Sequence, residues 1–298
     1  MASNARNATP LVFSELVLVY IGSAAQFHRL DSNELIPPLE SAPPLPPLAP
    51  ETLRSENPVF NLWDVLLILV VAALAQLFCL FFAALVFYGI HPRVDGRTLA
   101  SNVLVVLPAQ VAGYFITVVF MALLIWQKYR TDFLPAVKWN MPSARLGWGA
   151  FGVGAALAVV TQALSAVLEP WIPKSLPIDQ AFHTPASAYA LAAFGTLVAP
   201  FVEEMFFRGF LFPALARPLG ILPAASLTAA GFALIHGAQL AYAWIPLLLL
   251  FMVGMVLTLA RARMQSVAVS VLMHVGYNSA LFTALYIATQ GFRHMERG

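Results

Sequence analysis

The chain has 298 residues, of which 60% are hydrophobic and 10% charged, with a formal net charge of +2 and a mean hydropathy of +0.79. A soluble domain is about 45–50% apolar and about 25% charged, so this composition excludes an ordinary soluble protein. The apolar runs are continuous, which excludes an alternating membrane β-barrel and leaves an all-α, multi-pass transmembrane bundle whose backbone bonds to itself.

Taken in chain order, residues 1–60 stand apart. An apolar stretch at 11–25 is short and is interrupted by Glu15; it reads as an interfacial helix or an extra span. Residues 36–51 are proline-rich and read as an extended linker. N-terminal spans are expected over 61–144 and a core over 145–292. Seven apolar segments follow the linker, at 65–90, 103–126, 146–168, 189–213, 224–241, 244–259 and 266–289, giving about seven to eight spans in all. The single cysteine, Cys79, lies in the first of them; it excludes an intrachain disulfide or a CxxC site and reads as a small hydrophobe. Gly147, Gly149, Gly152 and Gly154 place a small-residue stripe on the third, a signal for close helix packing. No internal repeat supports a transporter of the inverted-repeat kind.

Basic residues are scattered through loops and form no stripe, so no nucleic-acid partner is expected. Lys128, Arg130, Lys138 and Arg145 follow the second span, Arg217 the fourth, and Arg261 and Arg263 the sixth. That bias puts these three loops on the cytoplasmic side of an inner or plasma membrane. The expected partners are the bilayer and a membrane-associated peptide or protein.

Inside the last four spans the ionisable residues are Glu203, Glu204, Arg208, His236 and His274. Each such group costs at least ~2.5–3.5 kcal/mol at the bilayer centre, so they must face one another or a polar cavity. Glu204 and Arg208 are four apart and share a helix face, so they pair. Glu203 is turned about 100° away and stays free. His274 and Asn278 share one face, and Phe232 and His236 another. At ~1.5 Å per residue, Glu203 lies roughly 15 Å from residue 213, His236 about 18 Å from 224 and His274 about 12 Å from 266, so three helices bring their polar groups to one level.

A carboxylate beside neutral imidazoles can take a proton from water, and an amide such as Asn278 can donate to an oxyanion. Those are the roles that peptide hydrolysis by activated water requires. Glu203, His236 and His274 are equally a zinc ligand set with one position left for water, although no HExxH is present, so Zn2+ and a metal-free mechanism both stay open. Ser270 makes no comparable claim as a nucleophile, because a serine on a membrane helix bonds its own backbone. The alternatives are a non-catalytic immunity or scaffold protein and a proton-coupled transporter, since intramembrane Glu and His also serve ion relays.

The motifs VEEMFFR, FALIH and HVGYN occur in that order on successive core spans. As Glu-Glu-x-x-x-Arg, Phe-x-x-x-His and His-x-x-x-Asn they resemble the CPBP family of intramembrane proteases. That family groups the type II CAAX prenyl endopeptidases with abortive-infection and bacteriocin-immunity relatives. The resemblance covers about residues 145–290. It implies a helical bundle with an intramembrane cavity, Glu203 as base, His236 positioning water, and His274 and Asn278 lining the cavity with Asn278 near the oxyanion. Glu204 and Arg208 would be supporting residues. The mechanism it implies is glutamate-type or metal-dependent, and the substrate a membrane-associated or prenylated CAAX-type peptide.

Overall fold

The computed structural model describes residues 60–93, 102–182 and 184–293; the expected N-terminal helix and proline-rich linker lie outside them. The described chain is a bundle of helices: α1 (Leu62–Ile90), α2 (Val103–Tyr129), a short α3 (Phe133–Ala136), α4 (Ala144–Val167), α5 (Pro185–Leu219), α6 (Ile221–Ile235), α7 (Trp244–Met264) and α8 (Val267–Ala288). Most begin on a side chain that accepts from the free N–H groups of the first turn. Asn61, Asn102, Ser143, Thr184 and Ser266 cap α1, α2, α4, α5 and α8 in this way. Six described helices are long and apolar enough to cross a membrane, and the protein is an integral, multi-pass membrane protein.

The segment expected as a fifth span, 224–241, is the exception. Helix α6 has 15 residues. It rises about 22 Å, short of the ~30 Å hydrocarbon core. Residues 236–242 leave the helix as turns, with Ala241 and Tyr242 in the left-handed region, although the stretch stays apolar enough to read as helix. His236 therefore caps α6 instead of lying within a span.

Helices α7 and α8 form the centre, with 50% of each spanning window buried against 22% for α1, α2 and α4. Around them α4 crosses α8 backbone to backbone. A Cβ on Gly154 would stand 1.8 Å from the Met273 carbonyl oxygen, and one on Gly276 would stand 2.1 Å from that of Phe151. Only hydrogen fits there. Gly149 and Gly152 face open space and a Cβ on Gly147 would be in ordinary contact with the Leu272 side chain, so of the stripe only Gly154 meets the α8 backbone.

The loop after α2 is sewn to the α7–α8 turn. Lys138 Nζ donates to Gln265 Oε1 at 2.7 Å, Asn140 Nδ2 to the Gln265 carbonyl at 2.7 Å, and Val267 N to the Lys138 carbonyl at 3.0 Å. Asp64, buried at the start of α1, accepts from Lys128 and Tyr129 at the end of α2, which brings those termini to the same end. Exposed Trp63, Trp126 and Trp148 ring this end; Trp171, Tyr189, Tyr242, Trp244 and Tyr286 ring the other. Two such girdles are what amphipathic rings form at the headgroup level on either side of a bilayer.

Candidate active site

Helix α5 carries the glutamates on a backbone that is not a uniform α-helix. Two π-helical segments, Phe194–Val198 and Met205–Leu211, flank the α-helical Ala199–Glu204. A proline stands two residues after the end of each, Pro200 and Pro213. Proline lacks an N–H and its ring clashes with the carbonyl four residues back, so the turn before it widens. The N–H of Ala199 accordingly bonds the carbonyl of Phe194, and that of Phe212 the carbonyl of Phe207, each five residues back.

The Glu204–Arg208 pair forms as the spacing requires. Arg208 Nη1 donates to Glu204 Oε1 at 2.7 Å, and both side chains are fully buried. Residues the motifs did not indicate complete the cradle. Arg208 Nε donates to Thr258 Oγ1 at 3.1 Å and Nη2 to the Gly254 carbonyl at 2.9 Å, both on α7. The guanidinium lies 4.7 Å from the Phe232 ring centroid, close enough for a cation–π contact.

His274 of α8 stands between the two glutamates. Its Nδ1 is 2.9 Å from Glu204 Oε1. An arginine-paired carboxylate only accepts, so Nδ1 carries a hydrogen, and in the neutral ring the lone pair is on Nε2. Nε2 points toward Glu203, 4.0 Å from Oε2. That is too long for a direct hydrogen bond and is the span across which one water bridges two groups. Glu203 is itself buried, and its other oxygen, Oε1, accepts from the Tyr114 hydroxyl of α2 at 3.1 Å.

Phe232 joins both histidines to this cluster, its ring centroid 5.1 Å from that of His236 and 5.7 Å from that of His274. His236 is half-buried, and its Nδ1 is 2.9 Å from the Phe232 carbonyl oxygen, which fixes Nδ1 as the donor and leaves Nε2 an acceptor. Asn278 is committed elsewhere: its Nδ2 donates to the Gly195 carbonyl at 2.6 Å. In the π register that carbonyl faces residue 200, a proline with no N–H to give, and the amide takes the missing donor's place.

The structure thus brings Glu203, Glu204, Arg208, His274 and Phe232 into one buried network, with His236 at its edge and Asn278 bonded to the backbone of α5. Among the described residues no three His, Cys, Asp or Glu side chains are arranged to hold a metal ion. Glu203, His236 and His274 as placed do not fit a zinc site. Sequence reasoning missed Tyr114, Thr258 and Gly254. The signal for Tyr114 was available, since Gln110 and Tyr114 put polar groups four apart in an otherwise apolar span.

Residues 185–280 match the family model described as Type II CAAX prenyl endopeptidase Rce1-like. The match runs from α5 into α8, and the three motifs from which the resemblance was read lie within it. Tyr114 lies outside it. No curated protein and no solved structure matches the chain.

Proposed function

We propose that this integral membrane protein is a glutamate-type endopeptidase that hydrolyses a peptide bond of a membrane-associated, prenylated CAAX-type substrate. The observation that carries the reading is the 4.0 Å spacing of Glu203 Oε2 and His274 Nε2, with Nδ1 of the same ring held by Glu204. A water seated between them donates one hydrogen to each acceptor and keeps an oxygen lone pair free. Glu203 takes the proton as that oxygen bonds to the scissile carbonyl carbon. The protonated Glu203 then passes the proton to the departing amine nitrogen as the C–N bond breaks. Glu204, itself fixed by Arg208, holds the tautomer that makes Nε2 an acceptor. His236, with Nε2 free and the ring half-exposed, presents a second acceptor to incoming water.

The test is cleavage of a quenched fluorescent peptide ending in a farnesylated CAAX box, by the purified protein in liposomes. Glu203→Gln keeps the shape of the side chain and removes the base, and His236→Ala removes the second acceptor; each is expected to abolish cleavage. Dialysis against a chelator is expected to leave the wild-type rate unchanged. Equal cleavage by wild type and Glu203→Gln would end the assignment, and chelator loss restored by zinc would replace the glutamate mechanism with a metal one.

A further inference from the structure

The mechanism uses one oxygen of Glu203 and leaves the other to a residue from outside the family-matched segment. Tyr114 lies on α2, and its hydroxyl donates to Glu203 Oε1 at 3.1 Å. Its ring is braced against Phe194 of α5, with centroids 5.8 Å apart and planes at 31°, inside the π segment that leads to the glutamates. The ring and the hydroxyl of one residue thus meet α5 at two points, Phe194 and Glu203, nine residues apart.

A carboxylate at the end of two methylenes has several rotamers, and Glu203 has no other described hydrogen bond to choose among them. With Oε1 engaged by the phenol, the plane of the carboxylate is set and Oε2 is the oxygen turned to His274. From this geometry we infer that Tyr114 is a positioning residue for the general base: it selects the Glu203 rotamer that forms the water-holding gap. The inference rests on the proteolytic reading above, to which it adds a residue that neither the motifs nor the family match contains.

The test uses the full-length protein in liposomes and the farnesylated CAAX peptide, with Glu203→Gln alongside. Tyr114→Phe deletes the hydroxyl and keeps the ring against Phe194, so the protein is expected to stay folded, with a melting temperature lowered only by the loss of one hydrogen bond. The expected result is a fall in kcat of about 10- to 100-fold, the scale of a misplaced reacting group, with KM unchanged. Incorporating 3-fluorotyrosine at position 114 restores a hydroxyl in the same place and is expected to restore kcat. Wild-type kcat in Tyr114→Phe would overturn the inference while leaving the protease assignment standing. So would a fall in kcat that 3-fluorotyrosine does not restore, because that describes a packing residue. If wild type and Glu203→Gln cleave alike, the protease assignment fails and the inference falls with it.

Discussion

Arg208→Ala removes a guanidinium from a site where it and Glu204 are both fully buried and 2.7 Å apart. Breaking a buried ion pair from one side costs about 3–5 kcal/mol, because the remaining charge is left in a medium that cannot solvate it. Two features of the site bear on where in that range the loss falls. Thr258 Oγ1 already donates to the Gly254 carbonyl at 2.7 Å, so that oxygen is not orphaned. His274 Nδ1 still donates to Glu204, so the carboxylate keeps one donor. Both soften the loss and place it near the lower limit, about 3 kcal/mol, or roughly a hundredfold in the folding equilibrium. The measurement is reversible unfolding of the purified protein in mixed micelles by SDS titration, followed by helical circular dichroism. A paired change, Glu204→Met with Arg208→Met, removes both charges and is expected to cost less than Arg208→Ala alone. If Arg208→Ala unfolds within about 0.5 kcal/mol of wild type, a change typical of a surface site, then Arg208 neither neutralises Glu204 nor ties α5 to α7 as described.

Two further outcomes follow from the backbone. Gly154→Ala and Gly276→Ala each put a Cβ into a carbonyl oxygen of the facing helix and are expected to abolish recovery of monodisperse protein, whereas Gly149→Ala and Gly152→Ala point into open space and leave the yield unchanged. Size-exclusion chromatography after detergent extraction distinguishes them. Asn278→Ala leaves the Gly195 carbonyl without its donor and is expected to cost about 1–3 kcal/mol in the same SDS titration. Adding Pro200→Ala returns a backbone N–H to α5 and is expected to recover part of that loss; no recovery would mean that Asn278 serves something other than this carbonyl.

How much of this was legible in the sequence differs from residue to residue. The spans are written in apolar runs, because lipid makes each helix satisfy its own backbone. The Glu204–Arg208 pair is written in its spacing, which a single helix fixes. The end of α6 is not, since hydropathy does not mark where an apolar chain turns, and residues 237–243 remain apolar while leaving the helix. The position of His274 between two glutamates depends on how α8 is rotated against α5, which no single-helix period contains. The destination of the Asn278 amide depends on a carbonyl that Pro200 deprives of its partner, a local effect visible only once the wide turn is seen. Tyr114 comes from a helix that carries none of the motifs.

The cradle around Arg208 also constrains how the polypeptide is made. Glu204 and Arg208 can pair within α5 itself and Glu203 can meet Tyr114 of the earlier α2, but Gly254, Thr258 and His274, which complete the cradle, leave the ribosome later. Alone in lipid, each ionised side chain would cost at least ~2.5–3.5 kcal/mol. The cradle is therefore complete only when some seventy residues beyond Glu204 have been translated, and we expect the nascent α5 to stay beside the insertion machinery until α7 and α8 arrive.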